Sequence, residues 1–118
     1  ILLAIPPVSV KAIITSALGK VIIAFTETGG TAKRMCKFRP GVPIIAITDS
    51  VETCQRLSYY WGVFATIGEN ITDLRYHDEL AIRVAKDFGF KKGATLVITS
   101  GWGQKHGSTN TMRIIDIE

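Results

Sequence analysis

Short apolar runs recur along this 118-residue chain with a helical pattern between most of them, and this alternation constrains the fold more than any other feature. Val21-Ile22-Ile23-Ala24-Phe25 and Ile44-Ile45-Ala46-Ile47 are nearly continuous in β-branched and small apolar residues, as strands buried on both faces require. Val10, Ile13, Ile14, Ala17 and Leu18 mark one helical face after Pro6, Pro7 and a capping Ser9, and Gly19 stops that helix. The spacing then predicts a strand over Lys20–Phe25. A helix over Gly30–Phe38 buries Ala32, Met35 and Cys36 and ends at Arg39-Pro40-Gly41. A second strand follows over Pro43–Thr48.

Asp49-Ser50-Val51-Glu52 reads as a capping box, with Asp49 capping and Glu52 reaching back, at the start of a helix over Ser50–Ser58. A third strand is expected over Gly62–Ile67. Asn70–Asp73 introduces a longer helix with Leu74, His77, Ala81, Val84 and Phe88 along one face. Gly89–Gly93 turns into a strand over Thr95–Ser100, and a Gly/Ser/Thr/Asn-rich loop, Gly101–Asn110, leads to a last strand over Met112–Ile117. The expected class is α/β: a single domain over residues 1–118, three-layer αβα, with a five-stranded, mainly parallel sheet. The last strand pairs antiparallel, because only a loop joins it to the strand before.

The net charge of +4 is mild. Lys33, Arg34, Lys37 and Arg39 cluster on one helix and Lys91-Lys92 sits in a turn, with no groove-reading motif or stacking pattern beside them. Solvated helix faces with some attraction for anions are favoured over a nucleic-acid partner. Pro6, Pro7 and Lys11 interrupt the most apolar stretch, Ile1–Leu18, which argues against a signal peptide or membrane span. The chain does not begin with Met and reads as a piece of a longer protein. Cys36 and Cys54 fall in helical patterns without metal-ligand spacing, as free thiols of a reducing cytosol do.

The first strand runs directly into Thr26-Glu27-Thr28-Gly29-Gly30-Thr31, and a helix opens at once. That geometry offers backbone N–H groups and a helix dipole to a phosphate. Thr26, Thr28 and Thr31 bring hydroxyls, while Gly29 and Gly30 let the backbone approach an anion closely. The turn lacks the Lys-Ser/Thr ending of a Walker A loop and its glycines are not in dinucleotide spacing, so neither nucleotide hydrolysis nor NAD is indicated. On these residues alone, an ordinary strand-to-helix turn capped by Thr28 is an equal alternative.

From about Ser9 onward, the segments resemble the C-terminal regulatory domain of pyruvate kinase in an ordered set of landmarks. Thr26–Thr31 is similar to that family's effector-phosphate loop, and Lys37–Thr48 to its Lys-Tyr-Arg-Pro-x-x-Pro-Ile-Ile-Ala-Val-Thr segment. Gly89–Gly93 precedes a strand, and Gly101-Trp102 opens a loop that closes on Gly107–Arg113. The resemblance implies a tetrameric, cytoplasmic glycolytic enzyme that transfers phosphate from phosphoenolpyruvate to ADP with Mg²⁺ and K⁺. Its catalytic barrel is outside this chain, so no residue here is catalytic and the fragment itself carries no cofactor.

What the chain would contribute is an allosteric effector site and a subunit interface. Thr26, Thr28, Gly29, Gly30 and Thr31 would hold a phosphate. Trp102, Gly103, Lys105, His106, Gly107, Ser108 and Thr109 would form a loop folding over the ligand, with Lys105 and His106 able to supply charge. Arg75 and His77 fall where the family can place a base near a second phosphate, although His77 also suits a core position. Asn110, Thr111 and Arg113 look structural, and Trp61 looks like a packing residue.

Glu27 is the main departure, because some family members carry Lys there to neutralise a phosphate. It weakens a fructose 1,6-bisphosphate assignment in favour of a sugar monophosphate or AMP, or of an unresponsive site. Two other classes compete: an oligomerisation module with a dead effector site, and a stand-alone phosphosugar- or nucleotide-binding module of flavodoxin-like type.

Overall fold

The computed structural model describes residues 19–37, 41–68, 76–100 and 111–118. These form β1 (Lys20–Phe25), α1 (Gly30–Lys37), β2 (Ile44–Thr48), α2 (Val51–Leu57), β3 (Val63–Ile67), α3 (His77–Asp87), β4 (Thr95–Ser100) and β5 (Thr111–Asp116). The expected helix before Gly19 lies outside the described residues.

The strands make one sheet in the order β3-β2-β1-β4-β5. β1 pairs parallel with β2 and with β4, β2 pairs parallel with β3, and β5 runs antiparallel to β4. The expected sheet, with its antiparallel last strand, is therefore the one found. The predicted bounds of β1 and β4 hold to the residue, and those of β2, β3, α2 and β5 shift by one residue at one or both ends.

Strand residues alternate between two cores. Val21, Ile23 and Phe25 of β1, with Ile45, Ile47 and Ile98, pack on the α3 face against Leu80 and Val84. Ala24, Ala46 and Ala65 lie on the opposite face with Ala32 of α1 and Leu57 of α2. The small residues there let the two short helices approach the sheet closely. Helices on both faces complete the three layers and explain why β2 is buried at every position. Fully burying each Ile or Leu contributes on the order of 1.5–3 kcal/mol.

Two local expectations are corrected. Ser50, not Asp49, caps α2: its backbone is extended and its Oγ accepts from Thr53 N at 3.2 Å. Asp49 is exposed, while the Thr48 hydroxyl accepts the Ser50 amide at 3.2 Å. Met35 and Cys36, expected in the core, are only half-buried against it.

The order of the strands positions the site. From β1 the chain winds through β2 to β3, then crosses to the other side of β1 to enter β4. The carboxyl ends of β1 and β4 therefore flank a topological switch point, where open α/β sheets bind ligands. The Thr26–Thr31 loop leaves one of these strands and the 101–110 segment leaves the other.

Candidate effector-phosphate site

Thr26 continues the sheet by one bond past β1, its amide donating to Ile47 O at 2.9 Å. The residue is buried, and its hydroxyl accepts the Gly29 amide at 2.8 Å, closing a tight turn. Thr26 therefore builds the loop from within. Gly29 sits at φ +87°, a conformation that L side chains rarely adopt. A Cβ on it would lie 3.1 Å from Leu57 Cδ2 and 3.3 Å from Thr53 Cγ2, so the turn is also pressed against α2.

The first helical bond of α1 runs from Lys33 N to Gly29 O at 2.9 Å, which makes Gly29 the cap rather than Thr28. Gly30, Thr31 and Ala32 then occupy the first turn, where amides lack intrahelical acceptors. Thr28 and Glu27 are exposed at the rim, and Gly30 and Thr31 are half-buried.

The backbone of the rim is fixed from α2. Glu27 O accepts the Thr53 hydroxyl at 2.9 Å, with the Thr48 hydroxyl further off at 3.4 Å. A trans, planar peptide places the following N–H opposite its carbonyl, so the Thr28 amide points away from α2. Thr53 itself is almost wholly buried, and its oxygen accepts from Arg56 Nη2 at 3.1 Å. The sequence offered no signal for Thr53 or Arg56, since their role depends on which loop meets α2.

Arg34 is a second addition to the site. Its Nε donates to Gly30 O at 3.2 Å, folding the guanidinium back over the start of α1. Arg34 Nη2 and Thr28 Oγ1 lie 3.2 and 3.6 Å from the point where a Gly30 side chain would begin. The missing side chain at residue 30 thus leaves room for a cation beside the Thr28 hydroxyl, on the same loop as Glu27. The four-residue spacing from Gly30 to Arg34 was visible in the sequence, but not the direction in which the side chain turns.

Trp102, Gly103, Lys105, His106, Gly107, Ser108 and Thr109 lie outside the described residues, as do Arg75 and Asn110. Both ends of their loop are placed: Ser100 and Thr111 are in register across β4 and β5. With Thr99 opposite Ala24 of β1, the loop springs from the strand beside the one that carries Thr26.

His77 belongs to the core beneath this edge. It is buried and stacks on Phe25 with ring centroids 3.9 Å apart and planes 5° from parallel. Arg113 ties β5 to the start of α3 through Asp78, at 3.0 and 2.5 Å, the structural role expected for it. Trp61, expected to pack, is instead 61% exposed in the turn after α2. Its carbonyl accepts the Cys36 thiol at 3.0 Å. Cys36 and Cys54 are both free thiols, and burial pushes the Cys54 thiol up from its ordinary range.

No helix among the described residues is long and apolar enough to cross a membrane. No group of three or more metal-ligating side chains converges among them either.

Residues 8–115 match the protein family described as pyruvate kinase, alpha/beta domain. The chain is 37% identical over 94 residues to the pyruvate kinase of Bacillus licheniformis, an alignment covering 79% of this chain and 16% of that protein. It is 38% identical over 96 residues to the pyruvate kinase of Lactococcus lactis, covering 80% and 19%. With the pyruvate kinase of Thermotoga maritima the identity is 33% over 100 residues, covering 84% and 22%. The chain thus spans roughly a fifth of the length of these curated relatives.

Proposed function

The chain belongs to the pyruvate kinase family, as its C-terminal α/β domain, and from that premise we propose that it binds a phosphorylated effector and forms a subunit interface. The parent enzyme would transfer phosphate from phosphoenolpyruvate to ADP, giving pyruvate and ATP, as a cytoplasmic tetramer using Mg²⁺ and K⁺. No residue of this chain is assigned a catalytic role.

One observation carries the effector reading. At the β1/β4 switch point, the first turn of α1 meets a peptide whose Thr28 amide points away from α2, and the Thr28 hydroxyl stands near the Arg34 guanidinium. An anion placed there meets N–H dipoles, the Thr28 hydroxyl and a cation. Glu27, exposed on the same rim, favours a ligand presenting one phosphate at this loop, a sugar monophosphate or AMP. The 101–110 segment, with Lys105 and His106, would close over the rest of that ligand. Binding would shift the population of subunit arrangements, which reaches the distant active site as a change in affinity.

The interface reading rests on β5. It is an edge strand whose outward residues Met112 and Ile114 are 67% and 69% exposed, an arrangement that invites pairing. The same feature favours the second reading, an oligomerisation module whose effector loop is silent.

Isothermal titration of the parent protein with ribose 5-phosphate, AMP and fructose 1,6-bisphosphate separates the two. The effector reading expects saturable binding of a monophosphate that Thr28→Ala weakens at least fivefold. Wild type and Thr28→Ala both failing to bind any of the three would leave the oligomerisation module as the better account.

A further inference from the structure

The α2 helix carries a short relay that ends on the phosphate loop. Arg56 Nη2 donates to Thr53 Oγ1 at 3.1 Å, and Thr53 Oγ1 donates to Glu27 O at 2.9 Å. A hydroxyl has one proton and two acceptor lone pairs. With the guanidinium spending a lone pair of the Thr53 oxygen, the single proton is left for the Glu27 carbonyl, and a donor next to a charged group makes the stronger bond. The methyl of Thr53 lies against the turn as well, 3.3 Å from the point where a Gly29 Cβ would sit. Thr53 is held in turn by Ser50, whose Oγ accepts the Thr53 amide at 3.2 Å.

The consequence lies one bond further along the chain. Turning the Glu27–Thr28 peptide by half a revolution would exchange the outward Thr28 N–H for the Glu27 carbonyl oxygen. A donor facing the anion would become an acceptor that repels it, on the rim where the Glu27 carboxylate already adds negative charge. Thr28 is exposed, so packing on its side chain does little to oppose the flip.

We infer that Thr53, oriented by Arg56, is a positioning residue that latches the Glu27–Thr28 peptide in its anion-accepting orientation. This rests on the effector-phosphate reading above. Neither residue touches the ligand; both act through the direction of one backbone amide. The latch also ties the loop's competence to the seating of α2 on the sheet, because anything that displaces α2 releases the peptide.

The test is isothermal titration of the parent protein with ribose 5-phosphate and AMP as probes, using Thr53→Val, Thr53→Ser, Arg56→Ala and the Thr53→Val/Arg56→Ala double variant. Thr28→Ala is the control for the site itself, and thermal unfolding is recorded for each variant. Thr53→Val keeps the shape and removes the hydroxyl, and is expected to weaken binding about five- to tenfold, the scale of one backbone hydrogen bond. Thr53→Ser, which restores the hydroxyl, should stay within about twofold of wild type on the same scale. Arg56→Ala, at an exposed position, should weaken binding about two- to threefold and add nothing in the Thr53→Val background.

Thr28→Ala weakening binding while Thr53→Val binds like wild type would overturn the latch and leave the effector site standing. An Arg56→Ala effect undiminished in the Thr53→Val background would also overturn it, since Arg56 would then be acting on the phosphate directly. Wild type binding neither probe would remove the effector reading and the latch together. Should Thr53→Val not fold, Thr53→Ala takes its place in the cycle with Arg56→Ala, and the same outcomes decide.

Discussion

Replacing Gly29 by Ala tests the seating of the loop, because two separate costs meet at that residue. The first is conformational: at φ +87° an L side chain costs roughly 1–2 kcal/mol. The second is steric. The new Cβ would lie 3.1 Å from Leu57 Cδ2 and 3.3 Å from both Leu57 Cγ and Thr53 Cγ2. Leu57 is almost fully buried and Thr53 is bonded to Glu27 O, so neither yields freely. Overpacking of this kind costs about 1–3 kcal/mol, and the two terms together give about 2–5 kcal/mol.

Gly62 supplies the internal control. Its φ is +74°, yet a Cβ there would have nothing within 4 Å, so Gly62→Ala carries the conformational cost alone. Urea unfolding of the two variants and wild type isolates the steric term as their difference. With a slope of about 1–3 kcal/mol per molar urea, that difference is on the order of 1 M in midpoint. Equal midpoints for Gly29→Ala and Gly62→Ala would refute the close packing of the loop on α2. The reasoning that Thr53 can direct the rim would then fail with it.

The other expectations concern charge, assembly and thiol chemistry. Glu27→Lys reverses the charge beside the proposed phosphate and should tighten ribose 5-phosphate binding about tenfold at low salt, less at high salt; titration at two ionic strengths checks this, and an unchanged or salt-independent affinity counts against a phosphate at the loop. Ile114→Lys on the exposed edge of β5 should shift the parent toward smaller species in sedimentation velocity, with its unfolding temperature within a few degrees of wild type; an unaltered distribution removes β5 from the interface. Because burial raises the folded-state pKa of Cys54, its stabilising contribution is complete below the thiol's ordinary pKa and declines as pH rises through the folded value. Cys54→Ser should therefore flatten the alkaline limb of the stability profile measured by urea unfolding, and an identical limb would contradict the assignment.

Much of the fold was legible because the strands are buried on both faces and bounded by strong punctuation. Lys20–Phe25 lies between Gly19 and the Thr/Gly turn, and Thr95–Ser100 follows Gly93, so their limits could be read to the residue. The cap of α2 was misread because Asp49 and Ser50 are both good capping residues, and only the Thr48 hydroxyl bonding the Ser50 amide separates them. Trp61 looked like packing by residue type alone, yet it sits in a turn that turns it outward.

For the site, Thr26 to Thr31 were identifiable from type and spacing, but their division of labour was not. Thr26 faces inward to close the turn, while Thr28 stands at the rim, a difference set by one hydrogen bond to Gly29. Thr53 and Arg56 went unrecognised because their roles depend on which loop meets α2, and Arg34 because its spacing from Gly30 does not set the direction of its side chain. A single sequence cannot indicate that a residue on α2 bonds a carbonyl 26 positions earlier.

The central claim, that the loop after β1 receives an effector phosphate, is tested most directly by a crystal structure of the parent protein with ribose 5-phosphate. The account predicts phosphate density at the first turn of α1, with the Thr28 amide and hydroxyl and the Arg34 guanidinium within hydrogen-bonding distance and the Thr53–Glu27 bond intact. Ligand bound elsewhere, or a phosphate at the loop facing the Glu27 carbonyl oxygen instead of the Thr28 amide, would contradict it.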